Sequence, residues 1–369
     1  VLKSDPFQLD PIIFYSATVM ETKTLESNPQ TNSLAEQSTH LPRVSIIINN
    51  YNYGRFVAQS IDSALNQTYE NTEVIVVDDG STDESIAVIQ SYEKQIIPVL
   101  KKNGGQASAI NAGFSASSGD IICLLDADDL FLPERVSHVV DIFQKFPDID
   151  WFFTESAALN NDEIVNTDLS TLFQEVRDKS LNAKLEKIDF RDRIKSGKIP
   201  DFTPSMSNLC FSRRVFQKIY PLPEIKGISG RAINDLYIHS LAVGLGTGCF
   251  TKQDLGVYRL HEVNNMYKFH KLNASLSFSK RRRQVAEKNM ATGYWIQKNF
   301  PEFKNIANKF LSKGFATYLS SGYPKSHKVD LDCEQLLQSY LSEFSLLGKS
   351  EVLAMILYYW IKLRFKKLV

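Results

Sequence analysis

Cysteine, charge of one sign and long apolar runs are all scarce in this 369-residue chain. Its four cysteines, Cys123, Cys210, Cys249 and Cys333, lie far apart with no CxxC pair. That leaves no disulfide framework and no zinc spacing, and it fits buried thiols in a reducing compartment. Lys plus Arg number 42 and Asp plus Glu number 42, so no net field draws nucleic acid or acidic polymers. No stretch reaches the roughly 20 continuous apolar residues of a membrane-spanning helix. Residues 1–42 lack the basic-then-apolar layout of a signal peptide, and from Glu21 to His40 they are rich in Ser, Thr, Asn, Gln and Glu. A flexible leader is expected there, and a cytoplasmic protein with at most peripheral contact with the inner face of a membrane. The composition is otherwise that of an ordinary globular chain, long enough for one large domain with extensions.

From Arg43 short apolar runs alternate with helical spacing. The runs are Val44 to Ile48, Val74 to Val77, Ile96 to Leu100 and Ile121 to Leu125; the helices between them are Phe56 to Leu65, Glu84 to Tyr92 and Gln106 to Ala116. Continuous apolarity predicts strands covered on both faces, and the alternation predicts βαβ units in a mostly parallel sheet. Ser81-Thr82-Asp83-Glu84 reads as a capping box and Pro133 as the first turn of a helix to Phe146. Trp151 to Phe153 reads as a further strand, Asn161 to Ser196 as a polar excursion or lid, and Ile233 to Val243 as a helix. Beyond residue 262 the chain turns helical and basic. Lys280 to Arg283 reads as a solvated face, or else as a contact for acidic lipid. The closing stretch, Val352 to Ile361 followed by Lys362, Arg364, Lys366 and Lys367, reads as a terminal helix docked on the core or as one lying in a membrane interface.

In an open parallel sheet, ligands bind beyond the carboxyl ends of the strands. There the fourth run ends in Asp126-Ala127-Asp128-Asp129. Three crowded carboxylates repel one another, so a cation is expected to offset them, and oxygen ligands suit Mg²⁺ or Mn²⁺ bridging to a phosphate-bearing substrate. After the first run, Asn49-Asn50-Tyr51-Asn52 offers an aromatic face among amides, suited to a nucleobase. Asp79, in Asp78-Asp79-Gly80-Ser81, can accept the N3–H of a uracil, although such a turn also serves as a plain helix cap. Asn103-Gly104-Gly105-Gln106 opens a helix where backbone can approach a phosphate or ribose.

The order and spacing of these pieces, over about Arg43 to His261, resembles the family-2 glycosyltransferases of the GT-A fold. The resemblance implies a nucleotide-binding half at 43–130, an acceptor half at 131–262 and a helical C-terminal region at 263–369. It implies that Tyr51 stacks on the base of a nucleotide-sugar, that Asp79 holds the uracil, and that Asp126, Asp128 and Asp129 serve ribose and metal, with Asp128 the main ligand. Asn234-Asp235 stands where the family carries Glu-Asp, which makes Asp235 the expected base toward an acceptor hydroxyl; a structural or metal-binding pairing of Asp235 with His239 competes. Tyr258-Arg259-Leu260-His261 resembles the family's Arg-x-His, with Arg259 toward the diphosphate and His261 on the metal, or else an ordinary loop histidine.

The implied activity is inverting, metal-dependent transfer of one sugar from a nucleotide-sugar, a UDP-sugar by the Asp79 reading, to a hydroxyl of a glycan, glycolipid or protein-linked acceptor in polysaccharide or glycoconjugate synthesis. The Gln-x-x-Arg-Trp pattern of processive synthases is absent. A sugar-1-phosphate nucleotidyltransferase, the rival enzyme, would want a Gly- and Arg-rich loop directly after the first strand. A non-catalytic sugar-nucleotide scaffold would have lost the metal or base positions. Gly244-Leu245-Gly246-Thr247-Gly248 follows a helix and precedes a strand, the reverse of a dinucleotide fingerprint.

Overall fold

The computed structural model describes residues 41–224, 234–262, 274–321 and 333–365. The expected leader lies outside them, apart from Leu41 and Pro42. The four apolar runs form β1 (Val44–Asn50), β2 (Thr72–Asp78), β3 (Ile97–Leu100) and β4 (Ile121–Asp126), and the order β3-β2-β1-β4 is parallel throughout. The intervening helices are α1 (Gly54–Leu65), α2 (Ser85–Gln90) and α3 (Gln106–Ala116). Alternate side chains of β1 feed two cores: Ile47 packs with α3, while Ile46 and Ile48 pack with Val57 and Ile61 of α1. β3 departs from the expectation. It is the sheet edge, and Ile97 and Leu100 are exposed, because among the described residues no strand or helix covers its outer side.

The capping box does not form. Ser81 Oγ donates instead to the buried Asp78 at 2.6 Å, and the α2 N-terminus is served by Asp83, which accepts from Ser85 N at 3.0 Å. Asp78 wins Ser81 because a buried carboxylate left short of donors is costlier than an exposed helix end.

Beyond β4 the sheet becomes mixed. A short β5 (Leu130–Phe131) precedes α4 (Arg135–Lys145), and β6 (Trp151–Asn160) runs on past the expected Trp151 to Phe153 and ends where the expected lid begins. That polar segment is ordered: α5 (Asn161–Asn166), α6 (Leu169–Ser180), β7 (Leu185–Ile188) and α7 (Arg191–Lys195) follow one another. Leu172, Phe173 and Val176 of α6 are buried against Leu130 and Val257, and Arg177 grips Glu134 with two hydrogen bonds of 2.6 and 2.8 Å. Its weak periodicity reflects short helices that bury one to three residues each, Ile164 in α5 and Ile194 in α7 beside those of α6, and a β7 that buries none.

β8 (Leu209–Ser212) lies antiparallel between β4 and β6, and after α8 (Arg213–Ile219) and α9 (Asn234–Leu245) the long β9 (Gly248–Leu260) runs parallel to β6. The glycines that lead into β9 serve packing, Gly248 as its first residue. A Cβ on Gly248 would sit 2.0 Å from the Trp151 ring, which is fully buried, stacks on Phe153 at 4.6 Å and donates Nε1–H to Gly246 O at 3.0 Å. Gly248→Ala is therefore expected to destabilise the fold by about 1–3 kcal/mol through overpacking. A thermal melt checks this, and a wild-type Tm would show that Trp151 can give way.

The remaining helices are α10 (Ala274–Asn299), α11 (Lys304–Leu319), α12 (Cys333–Ser342) and α13 (Leu346–Phe365). Ala291, Ile296, Ile306 and Phe310 join the core beneath β6 and β8, so these helices share hydrophobic burial with the sheet. Arg282 and Arg283 correct the expected solvated face. Arg283 is buried, donates to Glu287 at 2.7 Å and lies 4.1 Å over Tyr318, while Arg282 donates to Ser320 O at 3.2 Å. The side chains of Lys280 and Arg281, and residues Lys366 and Lys367, lie outside the described residues.

Candidate active site

Strand register alone brings the polar ends together. Asn49 pairs across to Asp126 and Asn50 to Asp78. Asn49 Nδ2 donates to Asp126 Oδ1 at 2.9 Å, and Gln106, at the start of α3, donates to the same oxygen at 2.9 Å and to Asn49 Oδ1 at 3.1 Å. Three elements thus hold one carboxylate in place.

The residues expected to meet a base divide. Asn50 gives its amide to Asp78 at 2.8 Å, and Asn52, at φ 55°, accepts from Thr82 N at 2.7 Å, so both brace the turn after β2. Tyr51 stands out from this brace, 46 % exposed. Asp79 is buried, with Oδ1 accepting from Lys101 Nζ at 2.6 Å and Oδ2 from Gly105 N at 2.6 Å, while Asn103 ties back to Asp79 O at 2.9 Å. Gly80, at φ +76°, makes that closure possible, since a Cβ would meet Asn103 N at 2.7 Å. A pocket of about 500 Å³ opens here between Gly80, Ile86, Leu100 and Asn103.

Asp126, Asp128 and Asp129 each offer an oxygen within 4.8 Å of the others. Burial, then the neighbouring Asp128 charge, pushes the Asp126 carboxyl up to about 7. Burial and the same neighbours hold Asp129 well above the carboxylate range, against the pull of Ser207 Oγ, 2.6 Å from Oδ2, and Arg259 N, 3.1 Å from Oδ1. Asp128 has His261 Nε2 at 3.0 Å, and that imidazole is buried against Phe56 with ring centroids 4.5 Å apart. An all-carboxylate cluster whose own repulsion favours protonation fits a hard divalent cation, with one imidazole at its rim. Ala127 packs its side chain into the core, which leaves only its backbone toward a ligand.

Arg259 is buried and donates to Asp128 O at 2.9 Å, Asn161 at 2.8 Å and Gln59 at 2.7 Å. In this arrangement it braces the acid-bearing turn. Asp235 lies in the first turn of α9, and its charge reaches Asp126. Its carboxylate meets Lys288 Nζ of α10 and accepts from Leu236 N at 2.8 Å. His239, the competing partner, makes no hydrogen bond to it: it is buried against Phe153 and Phe202, with neither ring nitrogen hydrogen-bonded among the described residues, and burial holds it neutral at about 4 against the raising charge of Asp235.

Sequence reasoning missed Ser207, Lys288 and Lys101. Ser207 and Lys288 reach the site from 78 and 53 residues away respectively, a separation no local pattern records. Lys101 follows the β3 run directly, and its cation beside Gly-Gly was the one available signal.

A metal at these acids has a pH signature. A carboxyl raised in the folded state adds stability that is full below the unfolded value of about 4 and is lost as pH rises through the folded one. Here that loss runs up to about 7 for Asp126. Metal must displace that proton, so Mn²⁺ is expected to raise Tm more at about pH 8 than at about pH 6. Equal shifts at both would place the metal elsewhere.

The model of glycosyl transferase family 2 matches residues 45–220. An uncharacterised glycosyltransferase of Nostoc sp. is 32 % identical over 228 residues, covering 60 % of this chain and 66 % of that one. One of Rickettsia typhi is 42 % identical over 115 residues, 31 % of this chain and 36 % of that one, so the chain spans between about a third and two thirds of these relatives. The S. aureus TarS fragment 1–349, crystallised with UDP-GlcNAc, shares the fold at a TM-score of 0.50 and 14 % identity, over 86 % of this chain and 89 % of that one. The matched segment carries the parallel strands, the Asp-Asp-Gly-Ser turn and the acid cluster, and with it the chain belongs to glycosyl transferase family 2, on a GT-A fold.

Proposed function

We propose that this chain moves one sugar from a nucleotide-sugar, a UDP-sugar first among them, to an acceptor hydroxyl of a glycan, glycolipid or protein-linked glycan, with inversion at the anomeric carbon. The observation that carries the reading is the gathering of Asp126, Asp128 and Asp129 at the end of β4, with Asp235 close enough for its charge to act on Asp126. Asp235 would take the proton of the acceptor hydroxyl as that oxygen bonds to the anomeric carbon, while the bond to the nucleoside diphosphate breaks on the opposite face. Lys288 pairs with the Asp235 carboxylate and would fix its position. Asp126 and Asp128, with His261, would hold Mn²⁺ or Mg²⁺, whose charge would steady the departing diphosphate. Tyr51 would stack on the base. For Asp79 to read uracil, the N3–H must join Gly105 on Oδ2, where the Gly104 amide makes only a long contact of 3.2 Å. The UDP-GlcNAc held by the S. aureus fold neighbour supports the choice of uridine.

Incubating the chain with UDP-, GDP- and dTDP-sugars and Mn²⁺, and following release of free nucleoside diphosphate, tests this. Turnover of a UDP-sugar is expected. Turnover of a GDP-sugar alone would overturn the Asp79 reading, and no turnover or thermal shift with any donor would overturn the transfer reading.

A further inference from the structure

The helix α13 is apolar on both of its sides. Val352 and Ile356 are buried in the C-terminal core with Leu311 and Tyr340, and Ser312 Oγ donates to Val352 O at 3.3 Å. The opposite side meets solvent. Leu346, Leu347, Leu353, Leu357, Ile361 and Phe365 are all exposed, Leu346 by 85 % and Phe365 by 65 %. At about 100° per residue these six positions fall within one half of the helix circumference, with Tyr358 beside them. A helix apolar all round is normally buried all round, and folded chains seldom leave so long an apolar stripe in water. Among the described residues nothing covers it, and the charges around the stripe say what kind of cover fits.

Those charges are positive. Lys362 and Arg364 are exposed in the last turn, Arg364 lying 4.2 Å over Trp360 and Lys362 5.8 Å over Tyr358. On the adjoining α11, Lys313 is exposed, and the charges of Lys313 and Lys362 both act on Lys309. Against these cations the exposed half of α13 carries one acid, Glu351. Two copies meeting along the stripe would confront like charges without the acidic partners that steer helix pairing. Aromatic rings at the border of an apolar stripe, with cations reaching past them, match the layering of headgroup over acyl chain.

We infer that the exposed face of α13 lies in the plane of an anionic phospholipid surface, with Leu353, Leu357 and Ile361 among the acyl chains and Lys362, Arg364 and Lys313 on headgroup phosphates. The helix lies on the bilayer without crossing it: no helix among the described residues is long and apolar enough to span a membrane. Its 20 residues give a contact about 30 Å long. The inference stands apart from the transfer chemistry and holds or fails without it.

Flotation of the full chain with vesicles of phosphatidylcholine alone, and with vesicles that also carry phosphatidylglycerol, provides the test. Binding to the anionic vesicles is expected, and it should weaken with salt. Lys362→Glu and Arg364→Glu should each weaken it by at least about five-fold. Leu353→Glu with Leu357→Glu should abolish it, and because both residues already face water the thermal melt of that variant should match the parent. Failure of the parent chain to float with either vesicle would overturn the inference. So would a concentration-dependent dimer that the leucine variant dissociates in sedimentation equilibrium, since a second copy would then be the cover.

Discussion

Asp235→Asn is expected to leave donor binding intact and lower kcat by about 10²- to 10⁴-fold, the range a positioned general base contributes. Asparagine keeps the shape of the side chain and can still accept from Leu236 N, the 2.8 Å bond that orients it. It loses proton affinity and the charge that pairs with Lys288. The expected split is therefore an unchanged KM for the sugar nucleotide with a collapsed kcat. Lys288→Met is the companion: it keeps the base and frees its position, so kcat should fall by up to about 10²-fold and Lys288→Arg should recover most of it. The pair separates two readings. A merely structural ion pair would lower Tm in both variants and spare kcat in whatever remained folded, and near-wild-type turnover in Asp235→Asn would remove this residue from the chemistry.

The first part of the sheet, β1 to β4, was legible because its information is local. Each apolar run ended where its ligand-type residues began, and strand register then set Asn49 beside Asp126 and Asn50 beside Asp78 with no further instruction. What the pattern could not say was how each polar side chain would be used. Asn50 and Asn52 are residue types that recognise a base edge, but a buried Asp78 needs donors and a tight turn needs an acceptor, and those nearer demands took them. Arg259 is the same case. A buried guanidinium must satisfy its donors, and Arg259 gives them to Asp128 O, Asn161 and Gln59. The second half was harder to read because its strands pair with partners far along the chain, β8 between β4 and β6 and β9 beside β6. Short helices such as α6 each bury only a few residues, so the segment from Asn161 looked like a polar lid. Lys288 shows the limit most plainly: a lysine in a polar helical stretch is indistinguishable from its neighbours until α10 is laid against α9.

Asp128→Asn should separate the cost of the acid cluster from its use. Of the three carboxylates, Asp126 is held by two amide groups and Asp129 by a hydroxyl and a backbone amide, whereas Asp128 has the imidazole of His261. Asp128 is thus the carboxylate least committed to the fold and the one whose charge pushes both neighbours upward. Replacing it removes repulsion, so without metal the variant should melt no lower than the parent, and at about pH 8 it should melt higher. With Mn²⁺ the order should reverse: the parent gains Tm and the variant does not, and kcat/KM should fall by about 10³-fold, since a bound metal supplies several kcal/mol of charge stabilisation to the leaving group. Stability bought at the expense of turnover is the pattern of residues kept for chemistry. If instead Asp128→Asn melts lower without metal and still responds to Mn²⁺, the His261 contact is fold support, and Asp126 becomes the ligand around which the site must be rebuilt.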